Sequence, residues 1–233
     1  MNAHEITERF EQEVADYCGA PFAVATTSCT MAIFLALQCL KARAQLPEII
    51  ACPKRTYVSV PMQIVHCGSK IEWRDDHWEH RGWYGLGQTQ VIDSARLFTS
   101  GMYWPGSLWC TSHHWGKTLG IQQGGMILTD DERNVRWLRR ARFDGRTPGV
   151  PVKHDDPMIG WHAYMSPEVA ALGLMRLSLL KKHNAPLPWD DYPDLSTLDC
   201  FKPFTVEANQ VMYQNGKNGR DHPGQTGKHT PTG

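Results

Sequence analysis

One lysine stands in a run of small, hydroxyl and imidazole side chains, Thr111-Ser112-His113-His114-Trp115-Gly116-Lys117-Thr118-Leu119-Gly120. A lysine that is crowded or withdrawn from water loses protonation energy, and its neutral amine becomes available as a nucleophile or base. The first chemistry to consider for Lys117 is therefore a Schiff base. Taken alone the segment reads rather as a solvated loop lysine, because short patterns match by chance. Upstream, Thr26-Thr27-Ser28-Cys29-Thr30 places hydroxyls between a short apolar stretch and a strongly apolar helical one. Such residues cap helices, and the same helix start offers free N–H groups and a positive dipole end to a phosphate. Asp93 closes the apolar run Gln90-Val91-Ile92, where an acid can cap whatever follows. His77 and His80 have a spacing that a metal could use, but no suitable third ligand follows, so no metal site is expected there.

Four dozen charges divide evenly, 24 basic and 24 acidic, over 233 residues. That length buries a real core and forms one domain with at most a small appendage. No global field favours nucleic acid or a membrane surface, although Lys54, Arg55 and Arg96 could suit a local anion, and a nucleic-acid partner has no support from net charge. Seven cysteines form no C-x-x-C pair and read as reduced thiols of a cytoplasmic protein. No apolar run approaches ~18 residues, and Met1-Asn2-Ala3-His4-Glu5 lacks a signal-peptide pattern, so no membrane partner is expected.

The elements that must position these groups follow from periodicity. Ile6, Phe10, Val14 and Tyr17 predict a helix over 4–18, ended by Gly19-Ala20-Pro21. A strand at 22–25 leads into a helix from Met31 to Leu40; a second strand, 48–53, leads into a helix from Tyr57 to His66. Another strand ends at Trp73, and the stretch from Asp75 to Gln90, rich in Trp, His and Gly, reads as a solvated or substrate-facing loop. Strands follow at 90–96, at 108–111 before the lysine, and at 125–129 pairing back. Asp130-Asp131-Glu132 caps a helix to Arg142, whose acidic start and basic end match the dipole; the six arginines from 133 to 146 read as a solvated face.

Ser112, His114, Lys117, Leu119, Gly124, Gly125 and Met126 coincide, without a gap, with the cofactor-lysine segment of the DegT/DnrJ/EryC1/StrS family, which this chain resembles. That family is the sugar aminotransferase branch of the fold-type I pyridoxal-phosphate enzymes. Four more segments match in the same order and together cover most of residues 1–180: Ser28 to Leu40, Cys52 to Ser59, Gln90 to Arg96, and Gly160 to Leu174. The resemblance implies pyridoxal 5'-phosphate as cofactor and Lys117 as its Schiff-base lysine. It further implies Ser28, Thr30 and Ser112 on the phosphate, Tyr57 against the pyridine ring, and Asp93 holding the ring nitrogen protonated. A gapless alignment would give Ser94 that last place; Asp93 is the reading adopted.

Several positions depart from the family pattern. Cys29 replaces a glycine beside the phosphate, Arg96 stands where a polar residue approaches the cofactor oxygen, and His114 falls within the lysine motif. His162 takes the place of an asparagine that reaches the phosphate of a neighbouring subunit, so the resemblance implies a homodimer with shared sites. The long insertion before Asp93 is cut down, and the second domain beyond residue 182 is largely missing.

The expected architecture is an α/β fold-type I major domain over 1–182 with a mostly parallel central sheet, a short extension at 183–214 with a strand at 206–213, and a disordered tail from 215 to 233. The implied activity is amino transfer to a small carbonyl substrate such as a keto-sugar. Decarboxylation or elimination on an amino-acid adduct, including one on a nucleoside or nucleic acid, uses the same machinery. A non-catalytic scaffold would have no need of Lys117.

Overall fold

In the computed structural model, residues 3–188 and 191–206 are described. Helix α1 (Ala3–Cys18) buries Phe10, Val14 and Cys18 and is followed by β1 (Phe22–Thr26). Then come α2 (Cys29–Ala42), β2 (Ile49–Pro53), α3 (Ser59–His66), β3 (Lys70–Arg74), the two-residue β4 (Tyr84–Gly85) and β5 (Val91–Ser94). The remaining elements are β6 (Leu108–Ser112), β7 (Gly125–Thr129), α4 (Glu132–Ala141) and α5 (Pro167–Ser178). The helix expected from Tyr57 begins two residues later, which leaves Tyr57 outside it.

The central sheet has the order β1-β7-β6-β5-β4 and is mixed rather than mostly parallel. Only β5 and β6 run parallel; β1/β7, β6/β7 and β4/β5 are antiparallel. The parallel pair β2/β3 forms its own ladder. β7 returns from β6 through the lysine loop and so runs against both β6 and β1, and the stretch before β5 adds the third antiparallel pair. That stretch supplies a strand of only two residues, running against β5, in place of one long enough to hydrogen-bond both β5 and β2. Even so, β2 lies close by, since a Cβ at Gly87 would meet the backbone N of Ala51 at 2.8 Å.

Cross-strand neighbours project from one face of a sheet. Tyr84, Asp93, Cys110, Ile127 and Val24 form such a row through the registers of β4, β5, β6, β7 and β1. This face packs against α2, an almost wholly apolar helix that is buried nearly all round. The opposite face, with Trp109, Met126 and Leu128, packs against Phe10 and Val14 of α1 and against α5. The stretch expected to be a solvated loop is instead partly core: Trp78, Tyr84 and Leu86 are buried, since without the longer insertion these side chains fill the gap between the two ladders.

Residues 191–206 pack on the same body. Leu195 and Phe201 are buried, the Trp73 indole donates to Thr205 Oγ1 at 2.9 Å, and Thr205 bridges Ile71 in parallel. The strand expected at 206–213, apart from Val206, and the tail from 215 lie outside the described residues. Another loop, residues 146–159, is closed at its neck by Gly145 and Gly160. Met158 N–H donates to Gly145 O at 3.0 Å, and a Cβ on either glycine would collide with the backbone opposite.

The basic helix α4 is only partly a solvated face. Arg142 is buried and pairs with the buried carboxylate of Glu11, which also takes Arg139 at 2.8 Å and the N–H of Ala25 at 2.9 Å. One carboxylate therefore ties α1, β1 and α4 together. Glu11→Ala would strand the Arg142 charge in the interior, and urea denaturation is expected to show a loss of about 3 kcal/mol.

Candidate active site

The chain leaves β1 and enters α2 through Ser28, whose Oγ accepts from Met31 N–H at 3.1 Å. The first N–H groups of any helix lie outside its ladder, so Cys29 and Thr30 present theirs at the helix start, where the dipole is positive. Thr30 Oγ1 shares a hydrogen bond of 2.8 Å with Ser59 Oγ at the start of α3. What lets β7 approach this turn is Gly125: a Cβ there would collide with the Ser28 carbonyl and the Cys29 nitrogen.

Asp93 is buried at the end of β5. Its Oδ1 accepts from Ala95 N–H at 2.8 Å and lies 3.9 Å from Cys29 Sγ, and its Oδ2 accepts from Tyr84 OH at 2.7 Å. Burial raises the pKa of Asp93, while the Tyr84 hydroxyl, the Ala95 N–H, the Lys117 charge and the Cys29 thiol oppose the rise. The Cys29 thiol turns toward this acid, and burial pushes its pKa well up. Ser94, the alternative to Asp93, donates its hydroxyl to Leu97 O at 2.9 Å and does not line the cavity.

The lysine loop leaves β6 at Ser112 and folds back on itself: His113 N–H donates to Gly124 O, Ile121 N–H to His113 O, and Lys117 N–H to His114 O. The His113 ring anchors it, edge-on to Phe10 and Phe98 and 3.2 Å from Thr111 Oγ1. Burial pushes the His113 pKa down to about 3, so the ring is neutral. His114 and Trp115 stay exposed, and Lys117 is half-buried.

These groups converge on one cavity of about 340 Å3. Ser28, Cys29 and Thr30 line it from α2, Asp93 from β5, Ser112, His114 and Lys117 from the lysine loop, and Tyr57 from the approach to α3, where it is 56% exposed. Two residues expected at the site lie elsewhere. Arg96 is buried but does not line the cavity; its guanidinium donates to Leu187 O at 2.9 Å and its carbonyl accepts from Leu187 N–H, so it fastens the segment after α5. His162 is exposed, 3.3 Å from Asp144 Oδ2 and packed on Tyr164.

Others went unnoticed in the sequence. Ser59, Gln123 and Tyr192 line the cavity, and Tyr84 stands behind it. Tyr192 is held by Arg55, which donates to its carbonyl at 2.9 Å, and by stacking on Trp78. Its one signal is an aromatic in an otherwise Pro- and Asp-rich stretch. Among the described residues no group of three or more His, Cys, Asp or Glu side chains could hold a metal, and no helix is long and apolar enough to cross a membrane. All seven cysteines are unpaired thiols, and only Cys200 is exposed.

Two measurements probe this construction. Gly125→Ala forces the turn at Ser28 and Cys29 away from β7, and thermal denaturation is expected to show a loss of about 1–3 kcal/mol. The second concerns His113, which protonates near pH 6.5 when unfolded but only at about 3 in the fold. The unfolded chain thus binds more protons between those values, and stability falls as pH drops through the window, by at most about 1.4 kcal/mol per unit. Urea midpoints followed from pH 7 to 4 are expected to fall less steeply in His113→Phe than in the wild type.

Comparison with known proteins places this site in context. Three solved structures share the fold: AtS13 from Actinomadura melliaura, at 18% identity and TM-score 0.62; the sugar aminotransferase CalS13 from Micromonospora echinospora, at 17% and 0.59; and GDP-4-keto-6-deoxy-D-mannose-3-dehydratase from E coli with bound hydrated PLP, at 14% and 0.61. Each likeness covers 74% of this chain, which spans only 59%, 60% and 60% of theirs. No protein of curated function matches the chain. The sequence model of one family matches residues 2–75 and 105–186, leaving unmatched the stretch that carries β4, β5 and Asp93. With more than half of its residues matched, the chain belongs to the DegT/DnrJ/EryC1/StrS aminotransferase family.

Proposed function

We propose that this chain is a pyridoxal-phosphate-dependent aminotransferase, which moves an amino group from an amino acid to a keto-sugar or similar small carbonyl compound. The observation that carries this reading is that Lys117, Asp93 and the start of α2, drawn from separate elements, line one cavity. The residues fit the cofactor on three counts. The cavity lies in the size range of small-ligand sites, a helix start flanked by hydroxyls suits a phosphate, and a buried carboxylate suits a cationic ring nitrogen.

When bound, pyridoxal phosphate supplies an aldehyde for amines and a ring that draws electrons from the adjoining substrate carbon. Lys117 would supply the amine that holds the cofactor and the base that carries a proton to and from the substrate carbon. Asp93, with the Tyr84 hydroxyl and the Ala95 N–H opposing the effect of its burial, would face the ring nitrogen and hold a proton on it. The helix start with Ser28 and Thr30, joined by Ser112, would hold the phosphate, and Tyr57, which lines the same cavity, would cover the ring.

His162, exposed on the surface, is available to a second copy of the chain, and we extend the proposal to a homodimer with shared sites. Unpaired thiols and a balanced charge agree with a cytoplasmic setting. A second reading, elimination or decarboxylation on an amino-acid adduct, draws on the dehydratase of like fold.

Added pyridoxal phosphate is expected to give a visible absorption band, and borohydride followed by mass spectrometry an adduct on the peptide carrying Lys117. Lys117→Ala should lose the adduct and at least about a thousandfold in turnover. Carbon dioxide released without a keto acid would overturn amino transfer in favour of decarboxylation; no band and no adduct would leave the scaffold reading.

A further inference from the structure

Building on that reading of the site, we propose that Tyr84 is a positioning residue for Asp93, and that through Asp93 it governs how strongly the protein holds the ring nitrogen of the cofactor. Tyr84 stands directly across from Asp93 in the β4/β5 register, so both side chains leave the same face of the sheet. The phenol is only 1% exposed and its hydroxyl donates to Asp93 Oδ2 at 2.7 Å. That hydroxyl has a single proton, which is spent on the acid; the short contact from Thr56 Oγ1 is therefore a donation to the phenol oxygen. Trp78 packs on the ring with centroids 4.7 Å apart and fixes its plane.

The three groups form a chain, Thr56 to Tyr84 to Asp93, in which each donation polarises the next. At Asp93 the other oxygen is pinned by Ala95 N–H at 2.8 Å. With Ala95 N–H and the more distant Cys29 thiol on Oδ1 and Tyr84 on Oδ2 the carboxylate cannot turn, yet of its roughly four lone-pair sites one on Oδ2 keeps room for a ring N–H. A hydrogen bond to the ionised form favours that form, and at a buried acid this opposes the effect of desolvation. Tyr84 and Trp78 both lie in the stretch that the family model leaves unmatched, between residues 75 and 105. The shortened connection thus fills space and also delivers a donor to the acid.

The test compares pyridoxal 5'-phosphate with its 1-deaza analogue, in which the ring nitrogen is a C–H group. Affinities are read from tryptophan fluorescence, with melting temperature as the check on folding. For Tyr84→Phe, which keeps the ring and removes the hydroxyl, binding of pyridoxal phosphate is expected to weaken about tenfold while binding of the deaza analogue stays within a factor of two. In an Asp93→Asn background the same substitution should have no further effect. Thr56→Val, which cuts the chain one link earlier, should show the same dependence on the ring nitrogen at about threefold, and it serves as the variant if Tyr84→Phe does not fold. Equal losses for both ligands would show a merely structural role and overturn the inference. Failure of the wild-type protein to bind pyridoxal phosphate at all would overturn the reading of the site, and this inference with it.

Discussion

A carboxylate taken out of water must be met by donors or it takes up a proton, and at Asp93 this demand organises everything around it. Desolvation works against the anion, while a phenol hydroxyl, a backbone N–H, a thiol and a nearby ammonium work for it. Each comes from a different piece of chain: Tyr84 from β4, Ala95 from the end of β5, Cys29 from α2 and Lys117 from the loop after β6. Satisfying one buried charge therefore fixes the relative positions of the sheet, its covering helix and the lysine loop. The contacts that hold this acid in the fold are also those the proposed chemistry would use.

The parts legible in the sequence were those with a strong local signature. The apolar run of α2 behind a serine cap, the alternation of acidic and basic ends in α4, and the short β-branched strands each declare their type through side-chain spacing alone. Lys117, Ser28, Thr30 and Asp93 were found through motifs whose order resembles a known site, and the cavity contains all four. Apart from β7, expected to pair back on β6, strand direction was not legible, because a buried apolar strand looks the same whichever way its neighbour runs. Tyr84 was invisible for a related reason: a two-residue strand has no period, and only the register opposite Asp93 gives it meaning. Arg96 misled because its neighbours in sequence lie by the cavity, whereas its own side chain turns away to Leu187.

The stretch between 75 and 105 and the segment after α5 meet beside the cavity. The segment that reaches Leu195 and Phe201 returns across the two-stranded ladder, places Tyr192 on the rim of the cavity, and is clamped by Leu195 N–H on Lys54 O at 2.9 Å and by Arg55 on Tyr192 O. Trp78 links the two, packing on Tyr84 from one stretch and on Tyr192 from the other. The floor and the rim of the cavity are thus supported from one indole, although they come from parts of the chain more than a hundred residues apart.

The neck formed by Gly145 and Gly160 brings the two ends of a bight together, and Arg140 of α4 reaches across to Asp156 O. Because the two backbones meet there without side chains between them, the ends of the bight stay together, and doubling its length would add only about 0.6 kcal/mol in closure entropy. Insertions and deletions between Thr147 and Asp155 leave the neck closed and the cavity untouched, which makes that part of the bight a graft point for a tag or a foreign peptide.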